Sequence, residues 1–141
     1  MGYTHYWKFK KNPAELVNGK EKFIKAVELI KEGLKHLKDI ELADGSAIEN
    51  SKPIFSETEV WFNGKGNTGY ESVAIMLDDP NDYNFNFCKT ARQPYGVAVC
   101  LTLLCFKEAF GEDFSYSSDG RFDIEEGWTR AADVFKTIIE K

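Results

Sequence analysis

Lys89, Thr90 and Arg92 stand close together and are followed by Gln93-Pro94-Tyr95. Two fixed cations, a hydroxyl and an aromatic ring in one short run make a phosphate-binding composition. A proline steers the residue before it away from helical angles, and it fits the first helical position, where its missing N–H is no loss. The sequence therefore predicts a helix beginning at Pro94. Its unpaired N–H groups and positive dipole end would face Lys89, Thr90 and Arg92, an arrangement that favours an anion. The same residues also suit a plain surface, with Lys89 and Arg92 solvated and Thr90 and Gln93 as capping groups.

Aromatic side chains supply the second half of a nucleotide site and form 14% of the chain. Phe23, Phe106 and Phe135 fall where a core is expected. Tyr3, Tyr6, Trp7, Trp61 and Tyr95 instead lie beside polar or cationic residues, where a ring can stack on a base while a cation holds its phosphate. Packing of the sheet against the helices is the competing use of each ring. His5, between Tyr3 and Trp7, is a candidate base or a hydrogen-bonded core histidine. A thiol enzyme can be assembled with Cys88 as nucleophile, His5 as base and Asp119 as the group orienting it, but sequence spacing does not bring the three together. His36, between Lys35 and Lys38, suits a helix C-terminus. With two histidines and no C-x-x-C pair, the chain lacks ligands for a structural zinc, and neither metal nor cofactor is expected.

Gly64-Lys65-Gly66-Asn67-Thr68-Gly69 matches the G-x-G-x-x-G dinucleotide fingerprint. That motif works only between a strand and a helix, and here strand-like sequence follows, so a glycine-rich hairpin turn is expected. No Walker-type phosphate loop occurs, and neither histidine begins the H-x-[ST] motif of paired phosphoesterases.

The length of 141 residues, 43% of them hydrophobic, suits a single domain over 1–141 with a real core. A formal charge of −5 opposes binding to a nucleic-acid polymer, which needs a broad basic surface. A small phosphorylated ligand needs only one or two local cations. The three cysteines Cys88, Cys100 and Cys105 form an odd set and read as small apolar residues in a reducing compartment. With no signal-peptide pattern near Met1 and no membrane-length apolar run, the expectation is a soluble cytoplasmic protein without a membrane partner.

Alternation of Tyr3, His5, Trp7 and Phe9 with polar residues predicts a strand over 3–10. Asn18 with Glu21 reads as a capping box opening a helix over 19–38, whose apolar stripe is Phe23, Val27, Ile30, Leu34 and Leu37. Residues 44–53 read as loop, and 59–62 with 70–77 as a hairpin. The apolar run after Pro94 predicts a central helix buried on most sides. A short strand at 114–117, a turn at Ser118-Asp119-Gly120 and a last helix carrying Trp128, Ala131, Phe135 and Ile138 complete the pattern. The fold class is α+β, a mostly antiparallel sheet packed against three helices.

Three spaced blocks, Gly2-Tyr3-Thr4-His5-Tyr6-Trp7, Phe87-Cys88-Lys89-Thr90-Ala91-Arg92-Gln93-Pro94-Tyr95 and Ser117-Ser118-Asp119-Gly120, resemble a widespread family of small bacterial, prophage and phage proteins. Its members begin GYTHY, carry FCKTAR-x-PY and close with SSDG before a final helix. Gly96 departs from the aspartate that often follows the PY. Phage members of that family resemble viral sponge proteins, which sequester the cyclic nucleotide signals of bacterial antiviral immunity such as the cyclic dinucleotides of CBASS. The resemblance implies a non-enzymatic anti-defence binder in the bacterial cytoplasm, and together with the reading of the residues above it sets Tyr3, His5, Trp7, Trp61, Lys89, Thr90, Arg92, Tyr95, Ser118 and Asp119 as the expected ligand-binding residues. A symmetric ligand would suit a homo-oligomer. The alternative is a small nucleotide-directed hydrolase or transferase using His5, Cys88 and Asp119.

Overall fold

A computed structural model describes residues 3–48, 50–119 and 126–140. Strand β1, Thr4–Phe9, is the centre of a three-stranded antiparallel sheet, flanked by β6, Asn86–Lys89, and β7, Phe114–Ser118. Alternation decides its two faces. Tyr3, His5, Trp7 and Phe9 turn inward and are buried, while Tyr6 is half-buried and Lys8 exposed. Phe9 meets Phe106, Phe110 and Phe114 with ring centroids 5.0–6.1 Å apart. Each such ring, taken from water, contributes roughly 1.5–3 kcal/mol.

Helix α1, Gly19–Leu34, starts where the sequence places it but not by the expected device. Asn18 adopts a left-handed φ of 54° and its side chain makes no cap, so the capping box with Glu21 does not form. The chain turns there because Gly19 lies against the backbone of Pro13, where a Cβ would collide with the Pro13 carbonyl. The helix ends at Leu34 rather than residue 38, because His36 and Leu37 donate to Gly33 and Leu34 in tighter three-residue turns. That tightening buries Leu37 and leaves Asp39 and Ile40 on the far side of the turn.

Helix α2, Gly96–Phe110, is the core of the molecule and is buried almost all round. It packs against α1, against β7 and against α3, Glu126–Ile139. Gly33 lets α1 approach closely, since a Cβ there would stand 2.6 Å from Leu101. The helix opens at Gly96, two residues after the expected Pro94, which lies in a preceding turn. On α3 the buried stripe is Trp128, Ala131, Val134 and Ile138, and Phe135 is only partly covered.

The remaining strands form a second antiparallel sheet instead of extending the first. Strand β4, Glu59–Gly64, pairs with β2, Leu42–Ala43, with β3, Ile54–Phe55, and with β5, Val73–Met76. The β4–β5 hairpin is the expected one, and its glycine-rich loop is a structural turn. Gly64 and Gly69 are pressed backbone to backbone, and the Asn63 side chain bonds Gly64 N, Tyr70 N and Tyr70 O at 2.7–3.0 Å. A strand follows this loop, as a hairpin requires and a dinucleotide fingerprint does not.

Candidate functional site

A cleft of about 550 Å³ opens where the β6–α2 loop, the start of β1, the turn after α1 and the first turn of α3 converge. The β6–α2 loop gives it shape. Thr90 N donates to Tyr3 O at 2.9 Å and Gln93 N to Thr90 O at 2.9 Å, so the loop is tied to β1. Between those bonds Ala91 and Arg92 hold φ values of 51° and 58°. Two adjacent non-glycine residues in the left-handed region cost roughly 1–2 kcal/mol each, a strain that the surrounding contacts must hold in place. The outcome is a defined position for Arg92, whose guanidinium carbon lies 4.6 Å from the Tyr3 ring centroid.

Aromatic rings line the wall behind it. The His5 ring sits 5.0 Å from Tyr3 and 5.9 Å from Trp128, and Trp128 stacks on Tyr116 at 5.3 Å. His5 Nδ1 is hydrogen-bonded to Ser118 Oγ at 2.6 Å. Burial pushes the His5 pKa down to about 4, against the opposing pull of the Asp119 charge, so the ring is neutral at pH 7. Across the mouth Arg130 donates to Asp39 at 2.5 Å, and that bond holds the exposed Asp39 carboxyl below its usual range. Among the described residues, two guanidiniums, one carboxylate, Thr90 and Gln93 thus meet apolar surface from Ile40, Pro94, Val97 and Trp128.

Of the residues expected from the sequence, Tyr3, His5, Thr90 and Arg92 line this cleft together. The others lie elsewhere. Lys89 points from the opposite face of the sheet, because it is adjacent to the inward-facing Cys88 on a strand. Trp7 and Tyr95 are core residues, and Tyr95 Oη donates to Glu71 O at 2.6 Å beneath the loop. Trp61 belongs to the second sheet and packs on Gly45. Ser118 stands behind His5, and Asp119 staples two strands by accepting from Thr4 N at 3.0 Å and Tyr6 Oη at 3.2 Å. The helix N-terminus offers less than expected, since Gly96 N and Val97 N already donate to Gln93 O and Pro94 O.

The thiol constellation is separated in the same way. Cys88 is the cross-strand neighbour of His5, yet its sulfur contacts Glu71 O at 3.3 Å and Tyr95 Oη at 4.0 Å. Burial pushes that thiol up to about 12. Asp119 is hydrogen-bonded to Thr4 and Tyr6, and the partner of His5 is Ser118.

Asp39, Ile40, Trp128 and Arg130 are cleft residues that the sequence reading did not single out. Trp128 was legible as core only, and nothing local to Asp39 announces Arg130, which lies 91 positions further along the chain. No helix among the described residues is long and apolar enough to cross a membrane, and none of them form a cluster of three or more His, Cys, Asp or Glu side chains suited to a metal ion. Comparisons of the chain with protein-family models, with curated proteins and with solved structures found no match.

Proposed function

We propose that the cleft binds a small phosphorylated nucleotide and retains it unchanged, a cyclic dinucleotide being the class that the resemblance to phage sponge proteins favours. The observation carrying this reading is Arg92, which with Ala91 adopts positive φ, lies over the Tyr3 ring and lines the same cleft as Arg130. Guanidinium groups bind phosphate oxygens in pairs of parallel hydrogen bonds, and each charge-assisted contact contributes about 1.5–3 kcal/mol. Tyr3 and Trp128 are almost fully buried and form the apolar wall behind Arg92, while Asp39 at the mouth can accept a ribose hydroxyl. The cleft volume falls within the range of ~300–1,000 Å³ common to small-ligand sites.

Retention without turnover accords with the chemistry of the nearby groups. His5 is neutral and engaged with Ser118, and the Cys88 thiol is protonated at any physiological pH. Sequestration of a cyclic nucleotide immune signal in the bacterial cytoplasm would follow from such binding alone. The test is to incubate the protein with cyclic dinucleotides, remove free ligand, denature the protein and identify what is released. Intact ligand at a fixed stoichiometry is the expected result. An altered product means an enzyme, and no retention removes the reading.

A further inference from the structure

The cleft carries an anion of its own. Among the described residues that line it, Asp39 is the single carboxylate, and its Oδ1 accepts from Nη2 of Arg130 at 2.5 Å. That bond holds the Asp39 carboxyl below its usual range, so the group is charged at neutral pH. A carboxylate on a guanidinium occupies the place that a phosphate oxygen would take, because both anions use the same fork of N–H donors. The partners come from segments 91 positions apart, the turn after α1 and helix α3, so the fold brings this anion to the cleft.

The backbone on both sides of the pair is anchored, whereas the side chains reach solvent. Leu37, 2% exposed, fixes the turn after α1, and Ile40 N donates to Leu37 O at 3.0 Å. On α3, Trp128 and Ala131 hold the helix to the core on either side of Arg130. The Asp39 side chain is 63% and that of Arg130 39% exposed. An ion pair so exposed is screened by water and salt and contributes little to stability. Rotation of the Asp39 side chain is therefore enough to part the two groups, with no movement of the turn or of α3.

Building on the nucleotide reading of this cleft, we infer that Asp39 is an internal competitor of the ligand: it holds Arg130 until a ligand phosphate displaces it. Exchange of one anion for another at Arg130 makes the pair a filter as well as a brake. An uncharged ligand offers Arg130 nothing in place of the carboxylate, whereas a phosphate offers a stronger, two-point contact. Once released, Asp39 stands in solvent beside the incoming phosphate, where a ribose hydroxyl can donate to it.

The experiment is calorimetric titration of cyclic di-AMP and of cyclic di-GMP into the full chain and four variants at one ionic strength. Asparagine keeps an oxygen that can accept from a ribose hydroxyl but removes the charge, so Asp39→Asn should bind about two- to fivefold more tightly than the parent. Arg130→Ala should bind at least about tenfold more weakly. In the Asp39→Asn/Arg130→Ala double variant the improvement should vanish, because no guanidinium remains to be released. Glu41→Gln removes the same charge nearby, from an exposed pair with Lys65 at 3.5 Å that does not line the cleft, and should bind as the parent does. Binding by the parent with equal or weaker binding by Asp39→Asn overturns the inference alone and makes Asp39 a positioning or ligand-contacting residue. An improvement that persists without Arg130 overturns it too, since simple repulsion would then be the cause. Failure of every protein to take up either nucleotide removes the nucleotide reading, and the inference with it.

Discussion

The two faces of the β6–β1–β7 sheet are built from alternate residues of the same three strands, and they have opposite characters. Inward, His5 lies against Trp128 of α3 and Cys88 beside Tyr95 and Glu71, and burial moves their chemistry away from that of exposed groups: a histidine held neutral and a thiol held protonated. Outward, Thr4, Lys89 and Asp119 occupy the neighbouring register positions, with Lys89 and Asp119 in solvent. A residue's chemistry here is therefore set by parity along the strand more than by its company in sequence. The Phe87 to Tyr95 block illustrates this, because its strand half divides between the two faces and only its loop half, Thr90 to Pro94, enters the cleft.

Substitutions that probe the two faces should separate by size. Trp7→Ala, on the inward face, should cost about 3–5 kcal/mol in urea unfolding because it empties a buried indole site, whereas Tyr6→Ala next to it should cost about 1 kcal/mol. Equal losses would mean that the outward face is covered too. His5 gives a pH signature of the same contrast. Its folded pKa is depressed to about 4, so below the unfolded value of about 6.5 the unfolded chain takes up a proton that the folded one refuses. Stability should be full above pH 6.5 and decline as pH falls toward 4, by up to about 3 kcal/mol, because each pH step of one between those two values removes ~1.4 kcal/mol. His5→Gln should flatten that slope. A slope unchanged in His5→Gln would assign the decline to carboxylates.

The smallest expected effect lies in the loop joining the faces. Ala91→Gly relieves one left-handed residue and should raise stability by up to ~1 kcal/mol, the gain being offset by glycine's greater freedom when unfolded. A loss of stability greater than that would show that the loop is not strained.

What the sequence made legible follows from the same geometry. The period of two in Tyr3, His5, Trp7 and Phe9 and the continuous apolar run of α2 each have one physical cause, burial, and both elements form as expected. Strand β6 alternates equally well, but its rings face outward, so its pattern reads as a polar phosphate-binding stretch and its pairing with β1 is hidden. Asn18 with Glu21 has the composition of a capping box, yet the left-handed turn forced by the Gly19–Pro13 contact removes it. Ala91 and Arg92 carry no glycine or asparagine to advertise positive φ, and the ion pair of Asp39 with Arg130 joins segments with no local link. The cleft depends on both features, which is why Asp39 and Arg130 in its lining were out of reach.

Calorimetric titration of a cyclic dinucleotide into the parent, Arg92→Ala and Lys89→Ala proteins tests the central claim most directly. Cleft binding by a guanidinium fixed over Tyr3 predicts that Arg92→Ala loses at least about tenfold in affinity with its fold intact, and that Lys89→Ala binds as the parent does. Equal losses in the two variants, or a parent protein that takes up no nucleotide, would contradict it.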